Sequence, residues 1–119
     1  TPDCVVYSGT HDNDTARGWW DHAPEHERQF AGTYLAANND NIHWAMIRGA
    51  SNSVARMAVF PLQDILGLNS AHRMNIPGTV GDHNWSWRFT WDMIGDEPAR
   101  LLSLIAATSG RASFGSLQK

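Results

Sequence analysis

Four consecutive polar residues, His11-Asp12-Asn13-Asp14, place a titratable ring, two carboxylates and an amide within a few ångströms of chain. Such a set can accept and donate hydrogen bonds, titrate, or ligate an ion. It follows the apolar run Val5-Val6-Tyr7 and the small residues Ser8-Gly9, so a strand delivers reactive groups to its end. Asp and Asn are also good helix caps, and acids suit a helix N-terminus, so the cluster reads equally as a strand-to-helix junction. The two readings are compatible: Asn13 or Asp14 can cap a helix while His11 and Asp12 face a cleft.

A second string, His22-Ala23-Pro24-Glu25-His26, matches the H-x-x-E-H pattern of zinc peptidases. That chemistry needs both histidines on one uninterrupted helix, and Pro24 between them breaks helical geometry at a cost of about 3 kcal/mol. His11 and Asp12 lack a third ligand at recognisable spacing, so no metal and no cofactor is expected. A third group, Arg73, Asn75, Asn84, Trp85, Trp87 and Arg88, decorates a long stretch punctuated by Pro77, Gly78 and Gly81, the composition of a binding loop.

These groups need a scaffold, and the patterns supply an α/β one. We expect a strand over about 5–10, a helical crossover over about 14–53, a strand over about 57–61, a binding loop over about 69–95 and a helix over about 97–109. In the crossover, Pro24, Glu25 and Glu27 open a helix with Phe30, Tyr34 and Leu35 on one apolar face, and Ile42, Ala45, Met46 and Gly49 continue helical spacing. Asp96 caps the last helix, which is expected to cover the second strand. Strand, long crossover, strand implies parallel pairing, and both strands read as buried on both faces. Two such strands cannot cover themselves, and a (β/α)8 barrel takes roughly 250 residues, so the chain reads as about two of eight units. Both polar clusters follow the strand ends. The missing initiator Met also suggests a piece of something longer, one expected to expose apolar surface and self-associate.

Composition narrows the function. The 119 residues are 42% hydrophobic with a net charge of -3, and 9 basic side chains form no stripe, which excludes nucleic-acid binding. No apolar run reaches the roughly 18 to 20 residues that span a bilayer, and no leader-like segment opens the sequence. The single cysteine, Cys4, is expected to be a buried, reduced thiol in a cytoplasmic setting. Six tryptophans are a heavy aromatic load, suited to packing or to sugar faces.

The segments Ser8–Thr15, Gly18-Trp19-Trp20, Pro61-Leu62-Gln63-Asp64, Arg73-Met74-Asn75-x-Pro77-Gly78 and Asn84-Trp85-x-Trp87-Arg88 together resemble, in order and spacing, the C-terminal part of the 4-alpha-glucanotransferase family. This is the amylomaltase or disproportionating-enzyme family, glycoside hydrolase family 77. The resemblance implies the last two βα units of a (β/α)8 TIM-type barrel, incomplete by themselves, and retaining transfer of α-1,4-glucan segments between maltooligosaccharides. The partners it implies are maltooligosaccharides and starch- or glycogen-type α-glucans, in a cytoplasm or a plastid. Retaining enzymes of this kind use two carboxylates about 5 Å apart, which the family carries upstream of this region. Asp12 then matches the third, transition-state-stabilising carboxylate, His11 an adjacent sugar ligand, and Asn75 a sugar contact, with Arg73, Asn84, Trp85 and Trp87 as further candidates. Asp64 is open between pointing at the site and a capping or supporting role behind it. By this reading the chain alone is inactive; the rivals are a non-catalytic carbohydrate-binding module and a zinc hydrolase.

Overall fold

The computed structural model describes residues 3–112 and shows a mixed α/β chain. Strand β1 (Val5–Tyr7) and strand β2 (Met57–Val59) pair in parallel, with Val5 opposite Met57, Val6 opposite Ala58 and Tyr7 opposite Val59. Between them run α1 (Ala16–His22), α2 (Glu25–Leu35) and α3 (Ile42–Ser51). After β2 come the short α4 (Leu62–Ile65), 3-10 turns at Ser70–His72 and Trp91–Met93, and α5 (Glu97–Thr108).

The core is built around α3. Its Ile42 and Ile47 are fully buried, and α1, α2, α4 and α5 all pack against it. Gly49 lets α2 approach closely, because a Cβ there would lie 2.9 Å from Leu35 Cδ2. Trp20 is buried on α1 and donates through Nε1 to Asn39 Oδ1 at 2.6 Å, which satisfies the one polar atom of its ring. Behind α5, the Arg111 guanidinium donates to the carbonyls of Ser51, at 2.8 Å, and Ala55, at 2.9 Å, tying the turn after α5 to the approach to β2.

Several expectations are corrected. The strands are not buried on both faces: Val5, Tyr7, Met57 and Val59 are all exposed, since apolar runs record a demand for burial that only neighbouring elements can meet. Phe30 and Tyr34 do share a face of α2, with near-parallel rings 6.3 Å apart, but that face meets solvent and α2 buries no residue. Cys4 is exposed. Thr15, not Asn13 or Asp14, caps α1, its hydroxyl accepting from Gly18 N at 3.0 Å. Asp96 occupies the cap position of α5 without a side-chain cap bond, and the main packing partner of α5 is α3.

Candidate functional site

The loop between β1 and α1 carries His11 and Asp12, and its shape is set from within. Asn13 Oδ1 accepts from Thr10 N at 2.8 Å and from Thr10 Oγ1 at 2.9 Å, while Asn13 N donates back to the Thr10 carbonyl at 3.1 Å. This reciprocal turn uses the short amide that makes Asn a turn residue. The side chains of Asp12 and His11 are left out of the brace and stand exposed, with His11 Nε2 3.2 Å from Asp12 Oδ2.

The segment after α4 closes over that loop. Asn75 Nδ2 donates to Asp12 Oδ1 at 3.0 Å, and Arg73 Nη2 donates to the Asp12 carbonyl at 3.3 Å. The Trp85 ring lies 4.9 Å from the His11 ring, tilted by 43°. So the structure brings together five of the candidate residues, His11, Asp12, Arg73, Asn75 and Trp85, from two regions distant in sequence. His11, Arg73 and Trp85 line a cavity of about 210 Å³ together with Gly9, Thr10, Met74 and Asp64; Asp12 and Asn75 are not part of its wall.

Trp85 reaches His11 by an unusual backbone. Its φ of 61° lies in the left-handed region, which costs a bulky residue roughly 1–3 kcal/mol and persists only where the surroundings demand it. Here its N–H donates to the Met74 carbonyl at 2.6 Å, and the preceding Asn84 braces the loop, accepting from Ile76 N at 2.9 Å and donating to the Thr79 carbonyl at 3.1 Å. Asn84 is thus committed to the loop rather than to the cleft. Trp87 donates through Nε1 to His72 Nδ1 at 3.0 Å and stacks on Phe89, a bracing role as well.

Ser70 contributes to the site without a local sequence pattern that marks it. Ser70 Oγ donates to Asp14 Oδ2 at 2.8 Å, latching the 3-10 turn before Arg73 to the loop before α1. Only the presence of Gly18 beneath signals it, because a Cβ there would run into both Asp14 and Ser70. Asp64 is buried, bonds Ser8 and the first backbone N–H of α1, and also forms part of the cavity wall beside His11, Arg73 and Trp85. As for the zinc-like string, His22 closes α1 while Glu25 and His26 lie beyond the Pro24 break on α2, and Glu25 pairs with Arg28 at 2.6 Å. Among the described residues, no group of three or more His, Cys, Asp or Glu side chains is placed to hold a metal.

A family model described as 4-alpha-glucanotransferase matches residues 1–93. The chain belongs to that family. A 4-alpha-glucanotransferase from Synechocystis sp. is 50% identical over 111 residues, which are 92% of this chain and 22% of that protein. One from Arabidopsis thaliana, named as chloroplastic or amyloplastic, is 49% identical over 108 residues, 86% of this chain and 18% of that protein. The solved structure of an amylomaltase from Streptococcus agalactiae in complex with acarbose superposes with a TM-score of 0.86 at 28% identity, covering 92% of this chain and 22% of that one. The chain therefore spans 18% to 22% of the length of these members of the 4-alpha-glucanotransferase family. No helix among the described residues is long and apolar enough to cross a membrane.

Proposed function

We propose that this chain forms the last two βα units of a (β/α)8 barrel and supplies the transition-state-stabilising carboxylate of a retaining 4-alpha-glucanotransferase. The observation that carries the reading is the convergence of Asn75, Arg73 and Trp85 on His11 and Asp12. Family membership and the small share of each relative that is covered support the rest. The substrates are maltooligosaccharides and larger α-glucans, the setting a cytoplasm or plastid, and the two carboxylates that break and remake the bond belong to other barrel units.

The geometry supports these roles. Asn75 holds one oxygen of Asp12 and so fixes the plane of its carboxylate, leaving Oδ2 beside His11 Nε2. A carboxylate and an imidazole side by side can clamp neighbouring sugar hydroxyls. Bonds from those hydroxyls to a carboxylate strengthen as positive charge develops on the sugar ring, so they favour the oxocarbenium-like transition state over the ground state. The exposed Trp85 ring offers an apolar platform against a sugar face, and Arg73 ties the loop that bears it to the backbone of Asp12.

The test is Asp12→Asn in the full-length enzyme, followed by glucose release from maltotriose. Turnover is expected to fall by about 10²–10³, with binding affected far less, because the lost interaction belongs mainly to the transition state. Unchanged turnover would remove the role given to Asp12. Maltooligosaccharide binding to the isolated chain that survives Asp12→Ala would favour a binding module instead.

A further inference from the structure

Asp64 is deeply buried at the base of the site, 2% exposed, and takes no part in holding the sugar. Both of its oxygens are engaged. Oδ2 accepts from Ser8 Oγ at 2.6 Å, and Oδ1 accepts from the Ala16 backbone N–H at 2.8 Å. Ser8 and Ala16 are the two ends of the loop that carries His11 and Asp12. One rigid carboxylate, mounted on α4, therefore pins both ends of that loop at a fixed separation.

Ser70 also latches this loop at Asp14, and Asp64 adds the bonds at its two ends. Its interior bonds, Thr10 to Asn13 above all, hold its shape but not its place on the scaffold. Asp64 supplies the place: α4 packs on α3, the element that carries the fully buried Ile42 and Ile47. The Ala16 N–H is moreover one of the first-turn donors of α1 that no intrahelical carbonyl can satisfy, and Thr15 takes another, so helix start and loop end are fixed by one bond. Burying an acid is unfavourable unless its acceptors are filled, and here they are filled by the two residues that bracket Asp12.

We propose that Asp64, acting through Ser8 and Ala16, is a positioning residue that sets where Asp12 meets the sugar. This rests on the transition-state role proposed for Asp12. It predicts an uncommon pattern of substitution. In Asp64→Asn, the amide oxygen can still accept from Ala16 N–H and the amide nitrogen can donate to Ser8 Oγ, so both ends stay pinned. In Asp64→Ala both are released.

The experiment measures kcat and KM for glucose release from maltotriose by the full-length enzyme, at a temperature where circular dichroism shows every variant folded. Asp64→Ala is expected to lower kcat by about tenfold to a hundredfold with a much smaller change in KM, the cost of misplacing a reacting group by a fraction of an ångström to an ångström. Asp64→Asn should keep most of the turnover. Ser8→Ala should lower kcat less, and should add nothing in the Asp64→Ala background, because both act through the same bond. If Asp64→Ala does not fold, Ser8→Ala alone carries the test. Wild-type kcat in folded Ser8→Ala and Asp64→Ala, with Asp12→Asn inactive in the same assay, overturns the inference and leaves Asp12 in place. Full turnover in Asp12→Asn overturns both.

Discussion

Asn75 Nδ2 donates to Asp12 Oδ1 at 3.0 Å across 63 positions of sequence, joining the loop after β1 to the long loop after β2. A carboxylate at an exposed loop has many rotamers open to it, and this bond removes most of them before a substrate arrives. Preorganisation of that kind acts on turnover more than on binding. In the full-length enzyme, Asn75→Ala is therefore expected to lower kcat for maltotriose by about tenfold, short of the loss in Asp12→Asn. Steady-state kinetics on Asn75→Ala, Asp12→Ala and their double mutant check it: the Asn75 effect should vanish in the Asp12→Ala background, where the acceptor of its hydrogen bond is gone.

How much of this was legible in the sequence differs from element to element. The cluster at His11 to Asp14 was visible because β-branched residues run straight into polar ones, a local contrast. Helix existence was equally local, and Ile42, Ala45 and Gly49 carried it. What the residues meet is not local. Phe30 and Tyr34 have the spacing of a shared face, but spacing says nothing about whether a partner covers it. Val5, Val6 and Met57 to Val59 ask for burial, and this chain alone does not provide it. The cap of α1 went to Thr15 because Asn13 is spent on Thr10 and Asp14 on Ser70, a choice decided by contacts far along the chain. Asp64 could be weighed from sequence as a cleft residue or one that braces its neighbours, but its bonds to Ser8 and Ala16 join segments far apart in the chain that no local pattern links.

Gly18 is required where Asp14 and Ser70 meet. Any Cβ at this buried position overlaps both side chains, so Gly18→Ala forces the Asp14 carboxylate and the Ser70 hydroxyl out of their bonded arrangement. Helix propensity alone would favour Ala by nearly 1 kcal/mol, yet overpacking is expected to win, with a net loss of about 1–3 kcal/mol. Thermal unfolding of the full-length Gly18→Ala enzyme checks the sign. Ser70→Gly in the same background should recover part of the loss by removing the hydroxyl that collides.

The isolated chain presents Val5, Tyr7, Met57 and Val59 on an uncovered two-stranded sheet, and Phe30 with Tyr34 on an uncovered helix. Contiguous exposed apolar surface of this kind drives association in water. Sedimentation of the purified chain is expected to show concentration-dependent oligomers, with bound hydrophobic dye. A monomer with a sharp cooperative melt would show that the two units close on themselves.

His43 sets a pH dependence with a definite sign. Its imidazole sits half-buried on α3 under Gly67, whose φ of 70° and absent Cβ let the backbone lie against the ring; an added Cβ would fall 2.9 Å from Cε1 and Nε2. Nδ1 is buried with no hydrogen-bond partner. Desolvation above all, and then the Arg17 charge, hold its pKa below the usual 6.5, while Asp64 opposes them. The unfolded chain therefore takes up a proton just below 6.5 that the folded chain refuses, so the unfolded state binds more protons there and stability falls as pH is lowered. Above that value both states are neutral at this residue and the contribution disappears. Thermal midpoints of the full-length enzyme, recorded from neutral pH downward, should drop through this window, and His43→Gln should flatten that part of the profile whatever it does to the midpoint at neutral pH. An unaltered slope in His43→Gln would assign the acid sensitivity to other groups.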